Sequence, residues 1–166
     1  MALDLRLSDA EPDLAALISD MSAFGQRSLA ATLAEKMLSD VGMDPVPVRS
    51  ALAAETFGDT SVRTDLRRRA TSADALARKA MAARDPNWQQ INLPARALTA
   101  AFYALGPDPE EAALEVVYEL HYAYPRGDAM RLIIELLRPR LPDRFAARLD
   151  ALVADEPPSP SPFPTR

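Results

Sequence analysis

Apolar side chains recur along this chain at intervals of three and four residues, in runs interrupted by glycine and proline, which predicts amphipathic helices joined by short turns. The first run predicts a helix from Ser8 or Asp9, with Ser8 and Glu11 spaced as a capping box, through Leu14, Leu17, Ile18 and Met21 to a stop at Gly25. A second helix, over about 27 to 41, sets Leu29, Leu33 and Met37 on one face beside small Ala30 and Ala34, where a neighbour can approach closely. The residues DPVP then break the chain. A short helix over about 47 to 57 precedes a long one over about 60 to 84, and DPNWQQINLP reads as a loop leading to a helix over about 94 to 105. Pro94 would open that helix, in the first-turn position where the missing N–H costs nothing. All five glycines (Gly25, Gly42, Gly58, Gly106, Gly127) fall between periodic segments, as caps and turns.

Asp108, Pro109 and Glu111 open a helix over about 109 to 124, whose charged positions Glu111, Glu115 and Glu119 occupy one narrow stripe with Tyr122. Nearly everything else on it is apolar. The segment over about 128 to 138 repeats the pattern, with Asp128, Arg131, Glu135 and Arg138 on one narrow stripe and Met130, Leu132, Ile133, Ile134, Leu136 and Leu137 around the rest. These two helices are expected at the centre, and a last helix from Pro142 to about Val153 closes the domain. Strand signals are nearly absent. The expected fold is all-α, a single-domain helical bundle or stacked helical hairpins of about seven helices over residues 1 to 154, with a disordered Pro/Ser-rich tail over 155 to 166. LPARALTAAFYAL (93 to 105) and LPDRFAARLDALV (141 to 153) share a Leu-Pro-x-Arg start and hint at a repeated hairpin.

Composition narrows the core and the chemistry. Aromatic residues make up only 6% and alanine is abundant, so the core should be built of Leu, Ala and Met. Cysteine is absent, which excludes disulfides, thiolate metal sites and a cysteine nucleophile. No long uncharged apolar run and no basic-then-apolar leader occurs, so the chain reads as cytoplasmic, with no membrane contact. No phosphate-cradling loop, dinucleotide fingerprint, nucleophile elbow, zinc-protease or kinase motif is present, and no cofactor or metal is expected.

Charge is unevenly distributed. The whole chain has a net charge of −5, but residues 61 to 84 carry seven basic and two acidic side chains. On a helical wheel Arg63, Arg67 and Arg78 form one ridge opposite Val62, Leu66, Ala70, Ala73, Ala77 and Ala80. The ridge reads first as a solvated face and second as a surface for nucleic acid or an acidic protein. Arg69 falls inside the apolar arc. Either the helix kinks or ends near Thr71 and Ser72, or Arg69 pairs with a carboxylate from another helix, or that part of the arc faces a partner.

The remaining candidates each have a plain reading beside a functional one. His121, the sole histidine, reads as a packed, hydrogen-bonded core residue rather than a ligand or a base. The glutamates at 111, 115 and 119 read as a solvated face rather than a cation site. Trp88, the sole tryptophan, reads as the anchor of its loop or as a binding hot spot, and Tyr122 and Tyr124 as a helix end that could line a surface. In the tail, PPSPSPFP reads as flexible, with Phe163 as the one side chain a partner groove could take.

Absence of a chemical motif together with segregated charge leads to a non-catalytic helical module that binds another protein, of adaptor, chaperone, inhibitor or immunity type. Partner-binding candidates are Arg63, Arg67, Arg78 and Trp88. The second reading is a nucleic-acid-binding or regulatory protein using the arginine-rich helix over 61 to 84, and the third an enzyme using His121 with Glu119 or a tyrosine. Assembly with a second copy of the chain is left open.

Overall fold

Every regular element that a computed structural model describes, over residues 6–154, is a helix, and no strand occurs among the described residues. In chain order these are α1 (Arg6–Ala10), α2 (Pro12–Ser19), α3 (Ala23–Asp40), α4 (Val46–Ala53), α5 (Ser61–Ala82), α6 (Trp88–Ala104), α7 (Pro109–Ala123), α8 (Arg126–Leu137) and α9 (Ala146–Ala154). Two short 3-10 turns, Arg138–Arg140 and Asp143–Phe145, join α8 to α9. The all-α expectation is met over these residues; the Pro-rich tail and Phe163 lie outside them.

Helix α7 is the central element because it is apolar on nearly all sides. It packs on α3 and α6, while α1, α2 and α8 cover what those leave. Alanines make this close: Ala30 and Ala34 on α3, Ala97, Ala100, Ala101 and Ala104 on α6, and Ala112 and Ala113 on α7 are all buried. Leu29, Leu33, Leu98, Leu114, Val116, Val117 and Leu120 fill the space between. Helix α5 lies outside this layer, packed mainly on α6. It buries Leu66, Ala70, Ala77 and Ala80, as its apolar arc predicts, and the two helices run antiparallel, Arg63 reaching the carbonyl of Phe102 and Asp74 the side chain of Arg96.

Helix ends differ from the sequence reading where the backbone uses a residue that pattern does not mark. Helices α3, α4 and α5 end in the same way: a residue in the left-handed region followed by a donor that reaches back to the helix's last turn. At α3 that residue is Gly42, with φ 72, but at α4 and α5 it is Glu55 and Arg84, each with φ 53. The N–H of Met43, Thr56 and Asp85 donates to the carbonyl of Leu38, Ala51 and Ala80 respectively. Helix α4 therefore stops at Ala53 rather than near 57. Gly25 does not end a helix: Ser22 accepts a hydrogen bond from its N–H at 3.1 Å and caps α3, with Gly25 in the first turn. Gly127 likewise lies in the first turn of α8.

The first expected helix is two, because Pro12 restarts the chain after Glu11. Ser8 sits inside α1 and forms no capping box. The predicted loop over DPNWQQINLP is mostly helical. The side chain of Asp85 accepts from the N–H of Asn87 and its carbonyl from the N–H of Trp88, which starts α6 six residues before Pro94. Pro94 is tolerated inside α6 because the carbonyl it leaves unpaired, that of exposed Gln90, is open to water. In contrast, Pro142 precedes a 3-10 turn, so the two Leu-Pro-x-Arg segments are not structurally equivalent. Helix α8 is not central either: Leu132, Ile134 and Leu136 are only half-buried and Asp128, Arg131, Glu135 and Arg138 are exposed.

Candidate functional site

The glutamate stripe of α7 is not a solvated face. Glu115 is buried, and Glu119 is 0% exposed. Enclosing them is a direct consequence of α7 being surrounded on every side, and two carboxylates in such a place require cations. Arg6, from α1, donates to Glu115 and to Glu119, the latter at 2.9 Å. Arg96, from α6, donates to the other oxygen of Glu119 at 2.7 Å and to Asp74 of α5. The network thus links four helices through one fully enclosed carboxylate. Burial opposes the charge on Arg6, but its hydrogen bonds to and the charges of the two glutamates outweigh it and hold its pKa above the ordinary arginine value.

Above this network lies an open cleft of about 390 Å³ between α5, α6 and α7. Trp88, Asn92 and Arg96 recur every four residues on α6 and so share the face that forms its floor. Asp74, Ala77, Arg78 and Met81 of α5 make one wall, and Tyr118 and Tyr122 of α7 the other. The guanidinium of Arg6 stands 4.2 Å from the ring centre of Tyr118, and Tyr118 stacks on Tyr122 with the rings 16° apart. The arginines therefore orient the aromatic wall as well as neutralising the glutamates. Met81 and Tyr122 are 51% and 53% exposed at the rim, so the cleft presents apolar surface to solvent.

Of the four residues singled out by sequence, the fold brings two together. Arg78 and Trp88 both line the cleft. Trp88 is half-buried at the start of α6, so it anchors no loop. Arg63 lies farther along α5, where its Nε donates to the carbonyl of Phe102 at 3.1 Å and its guanidinium sits 4.0 Å above the Phe102 ring. Arg67 is exposed and lines no part of the cleft. Arg69 is exposed too: α5 neither kinks nor ends at Thr71, and the arginine lies 3.9 Å from Asp65 of its own helix and 3.9 Å from the sulfur of Met43.

His121 and Glu119 do not form a couple. Glu119 is taken up by the two arginines, whereas His121 lies beside the ion pair that Arg126 makes with Glu11. Burial lowers the pKa of His121, which is half-buried, and its Nε2 is enclosed without a hydrogen-bond partner among the described residues, so the expected hydrogen-bonded core histidine is not met at this nitrogen. Tyr124 turns back to donate to Asp40 at 2.9 Å, and burial followed by this bond raises its pKa.

Arg6, Asp74 and Arg96 went unnoticed in the sequence. A signal was there. Arg96 is the only lysine or arginine between 85 and 125, and a helix that is apolar everywhere except for one glutamate stripe leaves that stripe no solvent to face. Among the described residues no group of three or more histidine and carboxylate side chains is arranged to hold a metal ion, and none of the helices is long and apolar enough to cross a membrane. No protein family, curated protein or solved structure matches this chain.

Proposed function

We propose that the protein is a non-catalytic helical interaction module and that the cleft between α5, α6 and α7 is where it docks on another protein. The observation that carries this reading is the composition of the cleft: arginine, tryptophan, tyrosine and methionine, the residue types enriched at interface centres, stand together around a floor whose Arg96 is tied by ion pairs to Asp74 and Glu119. A surface already organised before binding loses little freedom on contact. The same arrangement gives the nucleic-acid reading less support, because Arg63 of the ridge is committed to Phe102 and the wall of the cleft carries the carboxylate of Asp74.

The test is affinity capture from native lysate after nuclease treatment, with the full chain and with Trp88→Ala and Tyr122→Ala. One protein retained by the wild type, and weakened by about 2 kcal/mol in each variant, is the result expected of hot-spot residues. Capture that is indifferent to both substitutions overturns the reading, and material lost on nuclease treatment and at moderate salt turns it towards nucleic acid.

A further inference from the structure

The cleft contains polar groups that the protein itself leaves unused. Asn92 is 7% exposed, lines the floor, and its amide has no partner among the described residues. The Nε of Arg96 is buried there without a partner, its two terminal nitrogens being taken by Glu119 and Asp74. Arg78 has no carboxylate partner among the described residues; its Nε makes only a long 3.4 Å contact with the carbonyl of Asp74. Every unused group is an N–H donor or, in Asn92, an amide that carries one. Beside them Met81, Trp88 and Tyr122 present apolar surface.

Polar groups left without partners in a cleft are costly when buried, as the Nε of Arg96 is, and beside it the amide of Asn92 and the exposed guanidinium of Arg78 offer N–H donors that a ligand group can take up. We infer that the cleft holds an acidic side chain of a partner protein, its carboxylate taken by Arg78 and Asn92, with a neighbouring apolar side chain of the same segment lying against Met81, Trp88 and Tyr122. This deepens the docking reading above and rests on it. Charge complementarity extends beyond the pocket, because the α5 wall belongs to a segment with seven basic and two acidic side chains. The anion is a single carboxylate rather than a run of phosphates, since a polyanion laid along the cleft would meet the carboxylate of Asp74 on its wall after the first contact.

Trp88 is the only tryptophan, so its fluorescence reports on the cleft and on nothing else. The experiment pans a random dodecapeptide phage library on the full chain, then titrates the synthetic consensus peptide while following Trp88 emission. The expected result is enrichment of Asp or Glu within three residues of Leu, Phe or Trp, with the peptide shifting the emission. Arg78→Glu, whose side chain is exposed and whose fold is checked by circular dichroism, weakens binding about tenfold or more, and so does changing the peptide acid to its amide. Combining the two changes costs little more than either alone, because both remove the same contact.

Consensus peptides that lack an acidic residue yet shift Trp88, or binding unmoved by Arg78→Glu, overturn the carboxylate subsite and leave the docking surface standing. Enrichment of no peptide that perturbs Trp88 overturns both. Emission shifted by an oligothymidylate but by no acidic peptide overturns both in favour of nucleic acid.

Discussion

Charged stripes run along both α7 and α5, and their surroundings are opposite. On α7, Glu115 and Glu119 are enclosed and tied to Arg6 and Arg96. On α5, Arg67 and Arg78 remain exposed although α5 is the longer helix and the more highly charged. What separates them is the rest of each wheel. Helix α7 is apolar around most of its circumference, so the fold draws it inside and must bring cations from other elements to its carboxylates. Helix α5 is apolar on one arc only, so it stays at the edge and leaves its arginines to water. A charge on a helix is exposed or buried according to its neighbours on that helix, not according to its own polarity.

The sharpest way to break this comparison is to remove the enclosed carboxylate. Glu119→Ala leaves Arg96, whose side chain is only 11% exposed, with Asp74 alone and Arg6 with Glu115 alone, both facing a new cavity. A loss of about 3 kcal/mol in urea unfolding is expected, the lower end of the range for a buried pair deprived of one partner, because Glu115 and Asp74 still face the arginines. Glu119→Gln, which keeps the volume and an acceptor oxygen, should lose less. A loss of under about 1 kcal/mol for the alanine variant would mean that α7 opens to water and that its stripe is no different from that of α5.

The pH dependence of stability distinguishes the same two helices. Burial lowers the pKa of His121 on α7 below the ordinary 6.5, so the unfolded chain takes up the proton first as pH falls. Stability is therefore full above that value and declines as the solution is acidified through the folded-state pKa, by at most about 1.4 kcal/mol per pH unit for one proton. Glu11, whose pKa is lowered chiefly by the hydrogen bond from Arg126, adds a further loss in the same direction below 4.5. Urea midpoints measured from pH about 7.5 to about 5 should fall in the wild type and fall less in His121→Gln, while Arg67→Ala leaves the slope unchanged. An unchanged slope in His121→Gln would show that this nitrogen is solvated.

The part of this arrangement that pattern reveals is the part set by apolar periodicity. The apolar arc of α5, the extent of α7 and the close packing permitted by Ala30 and Ala34 all follow from residues spaced along one helix. What pattern does not reveal is set by pairs far apart in the chain. Arg6 meets Glu115 and Glu119 across more than a hundred residues, and Arg96 meets Asp74 across twenty-two. Neither spacing leaves a local trace. The left-handed residues Glu55 and Arg84 escape for a different reason: helix ends of this type are recognised by glycine, and nothing in the sequence marks a glutamate or an arginine that accepts the strain instead. Arg78 and Trp88 were both singled out, but that they share a cleft is decided by the start of α6 at Trp88 rather than at Pro94.

The smallest expected effects lie within the α5 ridge itself, where three arginines on one stripe do different things. Arg63→Ala loses the bond to the Phe102 carbonyl and the guanidinium stacked on that ring, which together are expected to cost about 1 kcal/mol. Arg67→Ala removes a side chain exposed to water, with no ion pair among the described residues, and should stay within about 0.5 kcal/mol of the wild type. The difference between the two is a stringent measure of how far exposure on α5 is genuine. If Arg67→Ala costs as much as Arg63→Ala, the ridge is covered in solution, and the surface that covers it competes with the cleft for the partner. If the two separate as expected, the ridge holds α5 to α6 at one end through Arg63 and leaves Arg78 free at the other, so stability and recognition occupy different arginines of one stripe.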